Sequence, residues 1–141
     1  MENRREFIKH SCKLCLGGLA LGWLTTQLAA CSSLPIVKAV NDKGMINVPV
    51  SSFTEKNNLV IVRNGELEYD ILLVKFGNTY TALQMKCTHQ DNPLVVNSTG
   101  LFCSVHGSGF DLNGNVTKEP ALRPLKKYAI QLNESSILIS L

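Results

Sequence analysis

Two closely spaced pairs of cysteine and histidine constrain the fold of this chain more than any other feature. The sequence contains Cys87-x-His89 and then Cys103-x-x-His106, with 13 residues between the two pairs. The whole chain has five cysteines and three histidines, so half of these side chains lie in one short stretch. Thiolates and imidazoles are ligands for zinc and for iron–sulfur clusters. The pattern therefore predicts two loops that hold one metal centre between them.

Residues 1–31 have the layout of an export signal peptide rather than of a domain. A basic start is followed by an apolar run of about 17 residues and by the small residues Ala29-Ala30. The stretch from Arg4-Arg5 to Lys9 resembles the twin-arginine signature. Leu28-Ala29-Ala30-Cys31 resembles the lipobox of bacterial lipoproteins, in which the cysteine receives a diacylglyceryl group. We therefore expect an exported protein on the periplasmic side, anchored to the membrane by a lipid on Cys31.

Two other interpretations of this segment stay open. It is also compatible with a plain secretory signal or with an uncleaved membrane anchor, although the apolar run is short for a span and contains three glycines. Cys12 and Cys15 form a C-x-x-C inside the apolar run, which we interpret as a coincidental spacing. The twin-arginine route, as the resemblance implies, carries proteins that are already folded, which suits a metal centre inserted before export.

The charge of the remaining chain argues against nucleic acid as a partner. Residues 32–141 contain ten basic and nine acidic side chains, a net charge of +1. Binding to nucleic acid usually requires a concentrated basic surface. The basic residues that do cluster, Arg123, Lys126 and Lys127, are interpreted as the solvated end of a strand rather than as a binding site.

Short apolar runs separated by turn residues predict an all-β domain over residues 45–141, preceded by a flexible tether over residues 32–44. No segment after residue 31 keeps a helical period over three turns. We therefore expect antiparallel strands throughout, arranged as a small β-sandwich or a partly open barrel. The expected strands lie at residues 59–62, 71–76, 80–85, 128–132 and 137–141. Hairpin turns are predicted at Asn64-Gly65, Gly77-Asn78 and Asn113-Gly114.

The inventory of ligands narrows the kind of metal centre. If Cys31 is lipidated, two cysteines and two histidines remain after the signal segment. A disulfide between Cys87 and Cys103 is an alternative, but it would leave both histidines without a role. A structural zinc site, and hence a binding module without redox function, is a second alternative. Each loop offers one sulfur and one nitrogen, which suits a two-iron cluster with two cysteine and two histidine ligands.

At these residues the sequence resembles the Rieske iron–sulfur proteins. The resemblance covers about residues 45–141 and is carried by "CTH" at 87–89, "CSVHGSGFDLNGNV" at 103–116 and "PALRPLKKYAI" at 120–130. It implies a Rieske-type β fold with cluster-binding loops at one tip and a [2Fe-2S] cluster as cofactor. It also implies an electron-transfer protein, either a free carrier or a small subunit of an oxidoreductase, and not an enzyme by itself.

The resemblance also implies a role for each residue of the motifs. Cys87 and Cys103 would bind the inner iron, and His89 and His106 would bind the outer iron and face the redox partner protein. Ser108 would donate a hydrogen bond to a bridging sulfide and raise the reduction potential. Gly107 would let the backbone approach the cluster closely. The surface that selects the redox partner is expected around four neighbouring residues, Gln90, Asp91, Pro93 and Leu94.

Three departures from the family pattern predict a reduction potential below that of its high-potential members. The two cysteines that form a disulfide between the loops in those members correspond to Asn92 and Val105. A tyrosine that donates a hydrogen bond to a ligand sulfur corresponds to Phe110, and Asp91 adds a negative charge to the first loop. The expected potential lies within the family range of roughly −150 to +300 mV. Ring-hydroxylating oxygenases need a further iron site with two histidines and a carboxylate. His89 and His106 are the only histidines after residue 31 in this sequence, and both are already assigned to the cluster.

Overall fold

The computed structural model describes residues 33–141, which form twelve strands in two sheets. The first six strands are β1 (Ile36–Lys38), β2 (Asn41–Asp42), β3 (Met45–Pro49), β4 (Leu59–Arg63), β5 (Ile71–Phe76) and β6 (Thr79–Gln84). The other six are β7 (Val95–Asn97), β8 (Gly100–Phe102), β9 (Gly109–Asp111), β10 (Val116–Lys118), β11 (Lys127–Leu132) and β12 (Ser136–Ser140). The predicted all-β fold class is confirmed.

The larger sheet has eight strands in the order β1-β4-β5-β6-β11-β12-β3-β2, and we call it the base sheet. The smaller sheet has the order β10-β9-β8-β7 and carries the two loops with the Cys/His pairs, so we call it the cluster sheet. The prediction of antiparallel pairing throughout is wrong at one place, because β1 runs parallel to β4 with Ile36 opposite Ile61. A parallel neighbour cannot be recognised from an isolated three-residue strand.

The N-terminal part of the described chain connects the two ends of the base sheet. Strands β1 and β2 stand at opposite ends of the strand order, yet only Ala39 and Val40 separate them in sequence. Three Cα–Cα steps lead from Lys38 to Asn41 and span at most about 11 Å, so the sheet must curl until its edges approach. We call residues 36–42 the closing segment. The prediction of a flexible tether over residues 32–44 is wrong for these strands, because their backbone groups pair with both edges of the sheet.

One two-residue hairpin turn lies at a dipeptide that was not predicted. Lys43 and Gly44, between β2 and β3, have φ values of 50° and 84°, as a type I′ turn requires. Asn64-Gly65 instead begins a longer connection between β4 and β5, in which the Asn64 amide donates to the Ala39 carbonyl at 3.0 Å. The predicted turns at Gly77-Asn78 and Asn113-Gly114 are found between β5 and β6 and between β9 and β10.

Strand β5 separates two apolar cores. Leu72 and Val74 pack in the core beneath the cluster sheet, whereas Ile71 and Leu73 pack in the core of the base sheet. All four side chains are fully buried. Successive side chains of a strand point to opposite faces, so a strand covered on both sides needs an unbroken apolar run. This requirement explains the sequence "ILLV" and places the cluster sheet directly against the base sheet.

Residues 1–32 lie outside the described part, so the signal peptide and the lipidation of Cys31 stay predictions. Within residues 33–141 the structure contains no helix with the length and apolarity that crossing a membrane requires.

Candidate metal centre

Three loops meet at the cluster sheet. The first loop (residues 85–94) joins β6 to β7, the second loop (residues 103–108) joins β8 to β9, and the third loop (residues 119–126) joins β10 to β11. The first two carry the Cys/His pairs, and the third begins with a cis peptide bond between Glu119 and Pro120. The structure thus brings together the loops that the motifs indicated.

The two cysteines lie side by side in the core beneath the cluster sheet. Cys87 and Cys103 are fully buried and are not joined by a disulfide. Burial alone would raise the pKa of the Cys103 thiol, but hydrogen bonds from the backbone N–H groups of His106 and Val105 and from the Cys87 thiol hold that pKa below its ordinary value. The thiolate is the form that binds metals. The site therefore favours the form of Cys103 that a metal ion requires.

The two histidines are also neighbours. Their ring centroids lie 5.0 Å apart with an interplanar angle of 89°. His106 is exposed and His89 is half-buried. The Nδ1 atom of His89 is buried and has no hydrogen-bond partner among residues 33–141. Buried polar atoms are nearly always satisfied, so this nitrogen calls for a ligand that the protein itself does not supply.

The ligands are paired like with like, sulfur beside sulfur and imidazole beside imidazole. In the described part of the chain, no three His, Cys, Asp or Glu side chains are grouped closely enough to hold one metal ion. A structural zinc ion needs four ligands around a single point. A two-iron cluster needs only two protein ligands on each iron, so the arrangement fits the cluster better than the zinc alternative.

Backbone hydrogen bonds fold the second loop back on itself. The N–H of Cys103 donates to the Ser108 carbonyl at 2.8 Å, and the N–H of Gly107 donates to the Cys103 carbonyl at 3.0 Å. Gly107 has a φ of 82°, a conformation that side chains disfavour. A β-carbon at this position would meet only the Lys118 amine, at 3.8 Å. The structure therefore explains Gly107 by its left-handed backbone conformation and not by a lack of space for a side chain.

Ser108 links the second loop to the third. Its side chain is fully buried, and its hydroxyl oxygen accepts a hydrogen bond from the Ala121 N–H at 3.1 Å. A hydroxyl group has one hydrogen to donate in addition to its acceptor sites. Among the hydrogen bonds of residues 33–141, the Ser108 hydroxyl is not a donor. Its hydrogen therefore remains available to a bound cofactor.

Thr88 links the first loop to the same third loop. Its hydroxyl donates to the Arg123 carbonyl at 2.6 Å. The backbone carbonyl of Asn92 accepts a hydrogen bond from the Cys87 N–H at 2.8 Å, within the first loop. The third loop thus holds both of the other loops by hydrogen bonds. Thr88 carries no sequence signal for this role, because its partner is a backbone carbonyl 35 residues away.

A second contact fixes the first loop to the base sheet. The Tyr69 hydroxyl, from the connection between β4 and β5, donates to the Asp91 carbonyl. Asp91 has a φ of 43°, and its carboxylate pairs with the Lys86 amine at 3.0 Å. The Lys86 amine also lies 5.3 Å from the centre of the Tyr69 ring. We call Tyr69, Lys86 and Asp91 the loop clamp.

The loop clamp changes the expected effect of Asp91 on the cluster. The sequence suggested that the negative charge of Asp91 lowers the reduction potential, but the carboxylate has a lysine partner at 3.0 Å. Its side chain is also 72% exposed, where water screens its charge. Asp91 is therefore expected to lower the reduction potential of the cluster much less than the sequence suggested.

The exposed surface around the histidines differs in part from the predicted one. Gln90, Asp91 and Pro93 are exposed, but Leu94 is buried and belongs to the core. Two other apolar side chains of the cluster-sheet loops are exposed, Val105 in the second loop and Leu122 in the third. Leu122 lies between the two residues whose backbone groups bond the ligand loops.

The family model for the Rieske [2Fe-2S] domain matches residues 38–129, well over half of the chain. The chain belongs to the Rieske [2Fe-2S] domain family. Rieske proteins are electron carriers or subunits of oxidoreductase complexes rather than catalysts by themselves, and their cofactor is a Rieske-type [2Fe-2S] cluster. The family predicted from the three motifs is confirmed.

The chain is also similar to individual proteins and solved structures. The iron–sulfur subunit of the cytochrome b6-f complex of Chlorobaculum thiosulfatiphilum is 32% identical over 77 residues, covering 52% of this chain and 41% of that protein. The chain thus matches about two fifths of the length of that Rieske relative. Among solved structures, the complex of reduced oxygenase and oxidised ferredoxin in carbazole 1,9a-dioxygenase gives a TM-score of 0.54 at 16% identity, over 70% of this chain and 94% of that one. The plasma membrane Rieske protein of Synechocystis PCC 6803 gives a TM-score of 0.48 at 26% identity, over 70% and 88%.

Proposed function

We propose that Cys87, His89, Cys103 and His106 hold the Rieske cluster of this protein, with both thiolates on one iron and both imidazoles on the other. The observation that carries this assignment is the pairing of like ligands across two loops. The buried Nδ1 of His89, which lacks a protein partner in the described chain, supports it.

The chain would tune and protect the centre through its own side chains. When bound, the cluster accepts and releases one electron at a time. Burial of both thiolates excludes water from the sulfur side, whereas exposure of the His106 ring gives a redox partner access to the nitrogen side. The Ser108 hydroxyl, already fixed by the Ala121 N–H, is available to donate a hydrogen bond that stabilises the reduced state.

We further propose a potential below that of the high-potential Rieske proteins. Phe110 is buried and has no hydroxyl to donate to a ligand sulfur. Each lost donor leaves the added negative charge of the reduced state less stabilised. The Ser108 hydroxyl acts in the opposite direction, so this chain should lie between members with both donors and members with neither.

We propose that the domain functions as an exported electron carrier, or as a small subunit of an oxidoreductase, anchored by lipid at Cys31. In this proposal residues 1–31 are a twin-arginine lipoprotein signal, and the Rieske domain follows. The twin-arginine and lipobox patterns support this localisation. The similarity to a cytochrome b6-f subunit and to an oxygenase complex with ferredoxin supports a redox partner protein that docks at the cluster tip.

Metal analysis combined with electron paramagnetic resonance tests the ligand assignment. The purified protein should contain two irons and two acid-labile sulfides per chain and give a Rieske-type signal after reduction with dithionite. Labelling histidine with ¹⁵N should change the hyperfine couplings of two nitrogens, and a variant with His106→Ala should lose this signature. Zinc without sulfide, or couplings to fewer than two nitrogens, would contradict the assignment.

A separate experiment tests the lipid anchor. Metabolic labelling with a fatty acid should mark the wild-type protein and leave Cys31→Ala unlabelled, either as a mature-size soluble product or as an uncleaved one that the band size distinguishes. Cys12→Ala serves as the matched control, because it removes a cysteine from the same segment. Labelling that persists in Cys31→Ala would refute the anchor and leave the cluster assignment intact.

A further inference from the structure

A basic pocket lies between the first and third loops, beside the proposed cluster. It has a volume of about 290 Å³ and is lined by Cys87 and Thr88 on one side and by Arg123 and Lys126 on the other. Lys86 and Asp91 of the loop clamp also line it. Three cations and one carboxylate therefore share this small space.

Two of these cations lack a carboxylate partner in the part of the chain that the structure describes. The ion pairs among residues 33–141 are Arg63–Asp70 and Lys86–Asp91. The Arg123 backbone is held by Thr88, and the Lys126 amine lies over the Tyr128 ring at 4.3 Å. These contacts restrain both residues but leave both positive charges uncompensated, so the pocket attracts an anion.

The net charge of the domain is also positive on the side of this pocket. Residues 85–127, which include the three loops and the cluster sheet, carry five basic and three acidic side chains, a net charge of +2. The rest of residues 32–141 carries five basic and six acidic side chains, a net charge of −1. The positive end of the domain is therefore the end at which electrons enter and leave.

We propose that this pocket is a docking site for a carboxylate on an acidic redox partner. This inference rests on the proposed ligand set, because Cys87 forms one wall of the pocket. Arg123 offers a planar fork of donors that matches a carboxylate, and Lys126 adds a point charge. A carboxylate seated beside Cys87 also disfavours an additional electron on the cluster, so docking favours release of an electron to the partner.

Electron exchange with small inorganic oxidants tests the pocket without knowledge of the partner. The dithionite-reduced full-length protein, freed from excess reductant, is mixed with ferricyanide in a stopped-flow instrument. Each protein transfers one electron to one ferricyanide, which becomes ferrocyanide, and no bond or proton is exchanged. Citrate serves as the carboxylate probe, and sodium chloride at equal ionic strength serves as its control.

If the pocket binds carboxylates, citrate should slow ferricyanide exchange roughly threefold more than chloride does at the same ionic strength. The double substitution Arg123→Gln/Lys126→Gln should abolish this difference and slow exchange at low ionic strength by roughly three- to tenfold. Arg123→Lys/Lys126→Arg keeps both charges and should behave like the wild type. Lys56→Gln, which removes one charge from a different cavity, should have little effect.

Equal effects of citrate and chloride on the wild type would overturn the docking site, as would a citrate effect that survives in the double variant. The Rieske signal is recorded for every sample, so a failure of the ligand assignment appears as a missing signal in the wild type itself. If the double variant loses its cluster, Lys126→Gln alone carries the same test. A cationic oxidant, tris(phenanthroline)cobalt(III), should not compete with citrate for the pocket.

Discussion

At the centre of the base sheet, strands run for five or six residues, whereas every strand of the cluster sheet is three residues long. The base core consists of aliphatic and aromatic side chains, while the core beneath the cluster sheet includes Cys87 and Cys103, the proposed cysteine ligands. Side-chain hydrogen bonds to backbone groups, such as those of Thr88 and Ser108, hold the loops around it. The base is thus stabilised mainly by apolar burial, and the cluster end by ligands and hydrogen bonds.

The largest effect should follow from removing a ligand. Cys103→Ser should abolish iron binding and the Rieske signal, because a buried hydroxyl is a poor iron ligand. Hydrogen exchange should then show faster amide exchange in β7, β8 and β9, while β5, β6 and β12 keep their protection. Simultaneous loss of protection in both sheets would show that the two regions fold as one unit.

Ile139→Ala tests the base sheet, which we expect to be stabilised by apolar burial. Ile139 is fully buried in the base core, so its truncation should lower the free energy of unfolding by about 2–5 kcal/mol. Iron content and the Rieske signal of the folded protein should not change. Leu132→Ala, at a side chain that is 54% exposed, is the matched control and should cost far less. Reduced iron content in folded Ile139→Ala would mean that the base core positions the ligands.

Ser108→Ala should be the strongest hydrogen-bond variant at the cluster end. It leaves the buried Ala121 N–H without an acceptor, at a cost of about 1–3 kcal/mol in the free energy of unfolding. It should also lower the reduction potential measured by redox titration. Ser104→Ala in the same loop, at an exposed side chain, should change neither quantity. An unchanged potential in Ser108→Ala would show that the hydroxyl acts only on the third loop.

Tyr69→Phe tests whether the loop clamp keeps the cluster in place. The ring and its packing remain, and only the hydrogen bond to the Asp91 carbonyl is lost. Because one such bond contributes about 1 kcal/mol, iron release to a chelator should become roughly fivefold faster. Tyr80→Phe, at a tyrosine packed against Phe53 in the base, should leave the release rate unchanged. Equal rates for both variants would exclude the clamp from cluster retention.

The smallest predicted effect is a pH dependence from Asp111, the last residue of β9. Burial opposes its negative charge, but hydrogen bonds from the Asn115 side chain and from the backbone of Asn115 and Asn113, with help from Lys127, hold the pKa of this carboxyl below its ordinary value. Its contribution is therefore present above the unfolded pKa of about 4 and is lost as pH falls through the lower folded pKa.

Asp111→Asn should consequently lower the free energy of unfolding by about 0.5–1 kcal/mol at pH 6 and by less at pH 3. Denaturant titrations at the two pH values measure the difference between variant and wild type. Asp42→Asn, at an exposed carboxylate in β2, is the control. An equal loss in the free energy of unfolding at both pH values would mean that Asp111 contributes through the geometry of its hydrogen bonds and not through its negative charge.

Sequence reasoning was most successful where one residue type has few alternative explanations. The Cys/His pairs and the apolar run at Ile71–Phe76 required particular environments, and the structure provides a two-sided core for the latter. Sequence reasoning was less successful for turns. Asn64-Gly65 has a composition typical of hairpin turns, but the left-handed two-residue turn is formed by Lys43-Gly44. Pairing across the whole sheet, and not the dipeptide itself, decides between them.

Contacts between a side chain and a distant backbone group were beyond sequence reasoning. Thr88, Ser108 and Tyr69 each bond to a main-chain atom of a loop far away in sequence, and main-chain atoms carry no residue identity. Leu94 was placed on the surface because its neighbours are polar, yet the turn at Asp91 directs the chain back into the core. The pocket proposed at Arg123 and Lys126 exists only because the first loop lies beside them in the fold.

The closing segment also affects how copies of this protein meet one another. An open sheet presents unpaired N–H and C=O groups along its edge strands, which invites strand exchange and aggregation. Here the outermost strands are only three and two residues long, and they carry the charged side chains of Lys38 and Asp42. A chain that lacked residues 36–42 would expose the apolar β4 at its edge. These seven residues therefore protect the domain against self-association.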